Sequence, residues 1–209
     1  TGSQRLSYRE LGYCAGFLAQ QLPENARLVG LMVNHDALSV AAIAALTLLN
    51  RTWVPLDPKL PLARLQAIAA DADIAAIVVC REHAALARQV AAQESLIVLP
   101  AEPERWGVAQ PEAAVADDSE LAYILYTSGT TGKPKGVPQT RVNVAAHIDA
   151  YAASLELTGN DRLSLLAAYG FDAAIMDIYA GLLTAACICP VDLRATTSPL
   201  ADLRALNIS

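Results

Sequence analysis

Apolar residues recur along this chain in two rhythms that alternate with each other. Ser7-Tyr8-Arg9-Glu10 has the form of a capping box, and Leu11, Ala15, Leu18 and Leu22 follow at helical spacing, which predicts a helix from about Ser7 to Leu22. The continuous apolar run from Leu28 to Val33 reads as a buried strand, Asp36 to Leu49 as an Ala-rich buried helix, and Trp53 to Leu56 as a short strand after it. Pro61 suits the first turn of a further helix, with Leu62, Leu65, Ile68 and Ala69 turned inward, before a strand from Ile74 to Cys80. A helix from Glu82 to Ala92 and a strand over Leu96 to Leu99 complete this rhythm.

Pro100 to Ser119, with Pro100, Pro103 and Pro111 among acids and alanines, breaks the pattern and reads as a surface excursion. Alternation resumes with a strong apolar strand from Leu121 to Tyr126 and a strand beginning at Gly136-Val137. Then come a helix from Val142 to Leu155, a strand from Arg162 to Ala167, a helix from Ala173 to Leu183, a strand from Ala186 to Val191, and a last helix near Ser198. Strand and helix in turn predict the α/β class: largely parallel sheets flanked by helices on both faces.

Composition narrows the function. Hydrophobic residues make up 54% of 209, which is ample for a core, and a formal net charge of −6 argues against nucleic acid or an anionic membrane as the main partner. No apolar run reaches membrane-spanning length, the amino terminus has no signal-peptide pattern, and a cytoplasmic location is expected. Cys14, Cys80, Cys187 and Cys189 read as buried reduced thiols. Cys187 and Cys189 share a strand face, but no second Cys or His pair stands at ligand spacing, so no metal is assigned. His35, His83 and His147 are taken as structural.

Against this acidic background one stretch differs in kind. Tyr126-Thr127-Ser128-Gly129-Thr130-Thr131-Gly132-Lys133-Pro134-Lys135-Gly136 holds two of the chain's three lysines, and no acidic residue occurs between Glu120 and Asp149. Glycines let successive backbone N–H groups converge on an anion, hydroxyls add donors, and lysines add compact positive charge, so the loop is expected to hold phosphate. An ordinary solvated loop has a similar composition, but here apolar strands pin both ends. The common P-loop is excluded, because Pro134 follows Lys133 and Thr127 stands where that pattern needs glycine.

With Leu6-Ser7-Tyr8-Arg9-Glu10-Leu11, Trp53-Val54-Pro55-Leu56-Asp57-Pro58 and Phe171-Asp172-Ala173-Ala174, the loop completes four stretches that match a known order. Together they resemble the adenylate-forming superfamily, most closely the amino-acid adenylation domains of nonribosomal peptide synthetases. The resemblance implies the amino-terminal portion of that fold, with a first α/β subdomain over residues 1–120 and the phosphate loop and start of a second over 121–209. It implies ATP-dependent activation of an amino acid as its aminoacyl-adenylate, then transfer to the phosphopantetheine thiol of a peptidyl carrier protein within a multidomain synthetase.

By the same resemblance, Thr127, Ser128, Gly129, Thr130, Thr131, Gly132 and Lys133, with Lys135 nearby, cradle the β- and γ-phosphates of ATP. Asp172, after Phe171, pairs with the substrate's α-ammonium, and Met176, one helical turn on, lines the side-chain pocket. Phe171, Asp172 and Met176 are thus the expected substrate residues; equally, Asp172 is suited to capping the helix at Ala173, and Met176 to core packing. No local motif makes Ser128 a nucleophile, and no residue is assigned a catalytic role in the bond-making step.

Three residues depart from the family pattern: Asn50 for a helix-ending Gly, Arg141 for a frequent His, and Met176 for a large aromatic. Mg²⁺ ligands, the ribose-binding aspartate and the catalytic lysine are expected beyond Ser209, so the 209 residues alone are expected not to turn over. An acyl- or aryl-CoA ligase fragment and a non-catalytic folded fragment are the competing readings; the first has no need of a carboxylate facing an ammonium.

Overall fold

A computed structural model describes residues 4–91, 95–111, 120–128, 133–193, 195 and 197–209, and the backbone only of Ser128. Helix α1 (Tyr8–Gln21) starts where its capping box places it: Ser7 Oγ accepts from the Glu10 N–H, and the Glu10 carboxylate accepts from the Ser7 N–H at 2.6 Å. Strand β1 (Leu28–Met32) follows, then α2 (Ala37–Leu48), β2 (Thr52–Pro55), α3 (Leu62–Asp71) and β3 (Ala76–Cys80). A 3₁₀ turn at Arg81–His83 leads to α4 (Ala84–Val90) and β4 (Ser95–Leu99). After β5 (Leu121–Ser128) and β6 (Pro134–Thr140) come α5 (Arg141–Ser154), β7 (Arg162–Leu165), α6 (Asp172–Thr184), β8 (Cys187–Pro190) and α7 (Pro199–Ala205).

Six strands form one sheet in the order β4-β3-β1-β2-β5-β6, parallel throughout except that β6 runs antiparallel to β5. Alternation along the strands feeds two apolar layers. Val29 and Leu31 of β1 and Ala76, Val78 and Cys80 of β3 pack with α1, α2 and α6, while Met32, Ile77 and Val79 pack with α3 and α4. Helix α2 is buried at every position from Leu38 to Leu46, as a helix between a sheet and its neighbours must be. Strands β7 and β8 form a separate parallel pair. The division expected at residue 120 therefore falls inside the six-stranded sheet, which β5 and β6 complete, and the second sheet begins at β7.

The described part of the excursion after β4 is mostly exposed, as expected, with one exception. Its 3₁₀ turn at Pro103–Trp106 buries Trp106 to 3% exposure in the larger core layer, and the Trp106 indole N–H donates to the Pro100 carbonyl at 3.1 Å. An indole is too large an apolar group to leave in water when a groove is available. Further on, Gly12 and Gly16 of α1 let the chain lie close to the helix, with Gln110 and Ala109 against them. The excursion's residues 112–119 and Ala92, the expected end of the helix after β3, lie outside the described residues. Asn50 meets its expectation, ending α2 with a left-handed φ of 56°.

Candidate active site

The phosphate-loop stretch is carried by the β5–β6 hairpin, whose register sets Thr127 opposite Lys135 and Ser128 opposite Pro134. Thr127 Oγ1 donates to the Lys135 carbonyl at 3.5 Å, and the Tyr126 hydroxyl donates to Asp71 of α3 at 2.7 Å, tying the hairpin to the helix beneath it. Burial and the adjacent Asp71 charge push the Tyr126 phenol upward, so it remains a donor at any ordinary pH. Thr127, Lys133 and Lys135 are exposed, and neither ammonium has an acidic partner among the described residues. Gly129, Thr130, Thr131 and Gly132 lie outside the described residues.

At the other end of the hairpin a cleft of ≈ 450 Å³ opens between α5 and α6. Tyr123 of β5 and Gln139 of β6, direct partners in the ladder, supply one wall. Asn143, Val144, Ala146, His147 and Ile148 of α5 form the second, and Asp172, Ile175 and Met176 of α6 the third. The 3.6-residue period explains the last two walls. Asn143 and His147, like Asp172 and Met176, are four residues apart and share a helix face. From Tyr123 to Ser128 is five residues of extended chain, so roughly 17 Å of strand connects the cleft to the loop.

The structure thus brings Asp172 and Met176 together. Asp172 is the first residue of α6 rather than its cap: Phe171 takes the cap position without a side-chain bond, and the Asp172 carboxylate accepts only from the next N–H, of Ala173, at 2.9 Å. Its remaining oxygen has no partner among the described residues, and its negative charge is favoured at a helix amino terminus. Phe171 is 65% exposed and stands outside the cleft wall. Met176 is half-buried, touching the core as well as the cleft. Burial, with Tyr179 and the Asp172 charge adding, pushes the Tyr123 phenol up to about 12.

Tyr123, Gln139, Asn143 and His147 were not singled out by sequence. The first two are identifiable only once the hairpin register is known, whereas Asn143 and His147 carry the i, i+4 signal in plain view. His147, expected to be structural, is a cleft residue because α5 turns that face toward α6 rather than into the core. Arg141 folds back under α5, its guanidinium donating to the Thr47 carbonyl at 3.5 Å, and the strand before it forms normally. Cys187, expected buried, is exposed.

A cleft with mixed polar and apolar walls and one unpaired carboxylate, joined by the β5–β6 strands to exposed Lys133 and Lys135, can seat a cationic organic substrate at one end and a polyphosphate at the other. Comparisons with known proteins place the chain in a family. Tyrocidine synthase 1 of Brevibacillus parabrevis is 32% identical over 192 residues, covering 88% of this chain and 17% of its own length. Novobiocin biosynthesis protein H of Streptomyces niveus is 34% identical over 194 residues, covering 86% of this chain and 32% of its own. The chain thus spans a third or less of either relative. Among solved structures, holo-AB3403, a four-domain nonribosomal peptide synthetase bound to AMP and glycine, superposes with a TM-score of 0.81 at 26% identity, over 98% of this chain and 15% of that one. The model of the AMP-binding enzyme family matches residues 1–209, and the chain belongs to that family.

Proposed function

We propose that this chain supplies the phosphate grip and the amino-acid anchor of an amino-acid adenylation unit within a nonribosomal peptide synthetase. The observation that carries the reading is the Asp172 carboxylate, unpaired at the head of a cleft that also holds Met176, on the ribbon that bears Thr127, Lys133 and Lys135. Its support from relatives is that peptide synthetases match over most of the chain, one of them bound to AMP and glycine.

In this reading Asp172 binds the substrate's α-ammonium, an ion pair that gains strength as the cleft closes off water, and so fixes where the substrate carboxylate lies. Met176 bounds the side-chain pocket. Phe171, outside the wall, contributes little. ATP, when bound, supplies the α-phosphorus that the carboxylate attacks. The donor set of hydroxyl and ammonium groups on Thr127, Lys133 and Lys135, with Ser128, Gly129, Thr130, Thr131 and Gly132 between them, suits a polyphosphate. These groups hold the departing pyrophosphate and offset its charge without forming a bond to it. Mg²⁺, where bound, would offset the triphosphate charge beside these groups. The activated acyl group then passes to a carrier-protein phosphopantetheine thiol, in the cytoplasm, where ATP is made and thiols stay reduced.

The test is amino-acid-dependent pyrophosphate exchange in the synthetase that contains this chain, with Asp172→Ala beside the parent. Loss of a desolvated charge pair predicts a fall in kcat/KM of roughly 100-fold for the best amino acid and little change for its des-amino acid. Equal rates with the amino acid in both proteins would remove the amino-acid reading. A preference of the parent for the des-amino acid, with CoA as acceptor, would favour an acyl- or aryl-CoA ligase.

A further inference from the structure

Cys187 and Cys189 lie on β8 with their sulfurs 3.8 Å apart. They point to the face opposite Ile188, which packs so closely on α6 that a Cβ on Gly181 would come within 2.4 Å of it. Cys187 is exposed and Cys189 is buried. The Arg162 guanidinium, from the neighbouring β7, donates to the Cys189 sulfur at 3.6 Å, and the positive charge of Arg5 also bears on it. The Tyr8 hydroxyl beside the pair is committed to the Gly181 and Ala186 carbonyls, at 2.8 Å each. The sequence expectation of inert thiols rested on both being buried, and one is not.

The spacing discriminates between two fates for such a pair. A disulfide needs Cβ atoms about 3.8 Å apart, which alternate residues of an extended strand do not offer without bending the strand. One tetrahedral soft cation with arms of about 2.3 Å holds two thiolates about 3.8 Å apart, the separation already present here. We propose that Cys187 and Cys189 form a two-thiolate site for a soft divalent cation such as Zn²⁺ or Cd²⁺.

The ion enters from the Cys187 side and displaces one proton from each thiol, M²⁺ + 2 RSH giving M(SR)₂ + 2 H⁺. Each thiol must give up its proton to bind, so affinity rises with pH. Arg162 and Arg5 favour the resulting thiolate. No third His, Cys, Asp or Glu joins the pair among the described residues, which leaves the other coordination positions to water.

The experiment is a Cd²⁺ titration of the reduced 209-residue chain, followed by the thiolate-to-cadmium charge-transfer band in the ultraviolet and by proton release in weak buffer. One equivalent of Cd²⁺ and two protons per chain are expected, with Zn²⁺ competing. The band should vanish in Cys187→Ser, whose exposed position leaves the fold intact by circular dichroism, and persist in Cys14→Ser and Cys80→Ser. No stoichiometric band in the parent chain, survival of the band in Cys187→Ser, or its loss in Cys14→Ser or Cys80→Ser would each overturn the proposal.

Discussion

Gly12 and Gly16 sit one turn apart on α1, and their surroundings give opposite signs to the same substitution. In a helix interior, Gly→Ala is worth about 1 kcal/mol through backbone entropy. At Gly12 a new Cβ would meet the end of the Gln110 side chain at 3.1 Å, which can swing aside, so Gly12→Ala should raise stability by up to that amount. At Gly16 it would lie 1.9 Å from the Ala109 carbonyl oxygen, a backbone atom of the packed excursion. Overpacking typically costs about 1–3 kcal/mol, and more against backbone, so Gly16→Ala should lower the urea midpoint. Equal midpoints for the two variants would mean that the excursion does not lie on α1. Neither sign was legible in the sequence, because a glycine's reason is the atom opposite it. Asp172 was a candidate marked by the preceding Phe171, and its place as first helix residue rather than cap needed the backbone.

At the scale of elements, the chain announces most helices through local chemistry, and α1 is the clearest. Its start depends on reciprocal bonds between Ser7 and Glu10, and those bonds hold the Glu10 carboxyl below its ordinary 4.5, backbone donation by Ser7 being the larger cause. A carboxyl depressed in the folded state contributes stability that is present above its unfolded pKa and lost as pH falls through the folded value. Ser7→Ala should cost about 1 kcal/mol near neutrality, and the gap from the parent should narrow as pH falls through the Glu10 titration and the parent's hydroxyl–carboxylate bond is lost. A gap that stays constant from pH 7 to pH 3 would show that the Ser7 hydroxyl contributes nothing through its bond to Glu10, since the backbone bond survives in the variant. Such a cap is readable because all its members lie within four residues. The antiparallel turn of β6 and the burial of Trp106 were not readable, since each depends on partners far along the chain: β5's register for one and the larger core layer for the other.

Across the whole molecule, the two sheets are joined by polar contacts inside the apolar layer. The Tyr179 hydroxyl of α6 receives the Trp53 indole N–H of β2 at 3.1 Å and lies 2.9 Å from Thr47 Oγ1 of α2. Tyr8 of α1 reaches the end of α6 in the same way. The alternating pattern predicted both sheets but contained nothing of this link, because the pairs are more than 100 residues apart. Tyr179→Phe keeps the ring and strands the buried indole N–H, a loss of about 1–3 kcal/mol, while Thr47 keeps its bond to the Ile43 carbonyl. The cost should appear as one transition. Both tryptophans, Trp53 and Trp106, report on the six-stranded sheet, whereas exchange of α6 amides reports on the part that carries Asp172. If one core layer spans both, tryptophan fluorescence and α6 exchange should shift together in Tyr179→Phe. Protection of α6 that fell while fluorescence held would mean that Asp172 and Met176 sit on a separately stable unit, free to open without disturbing the β5–β6 hairpin.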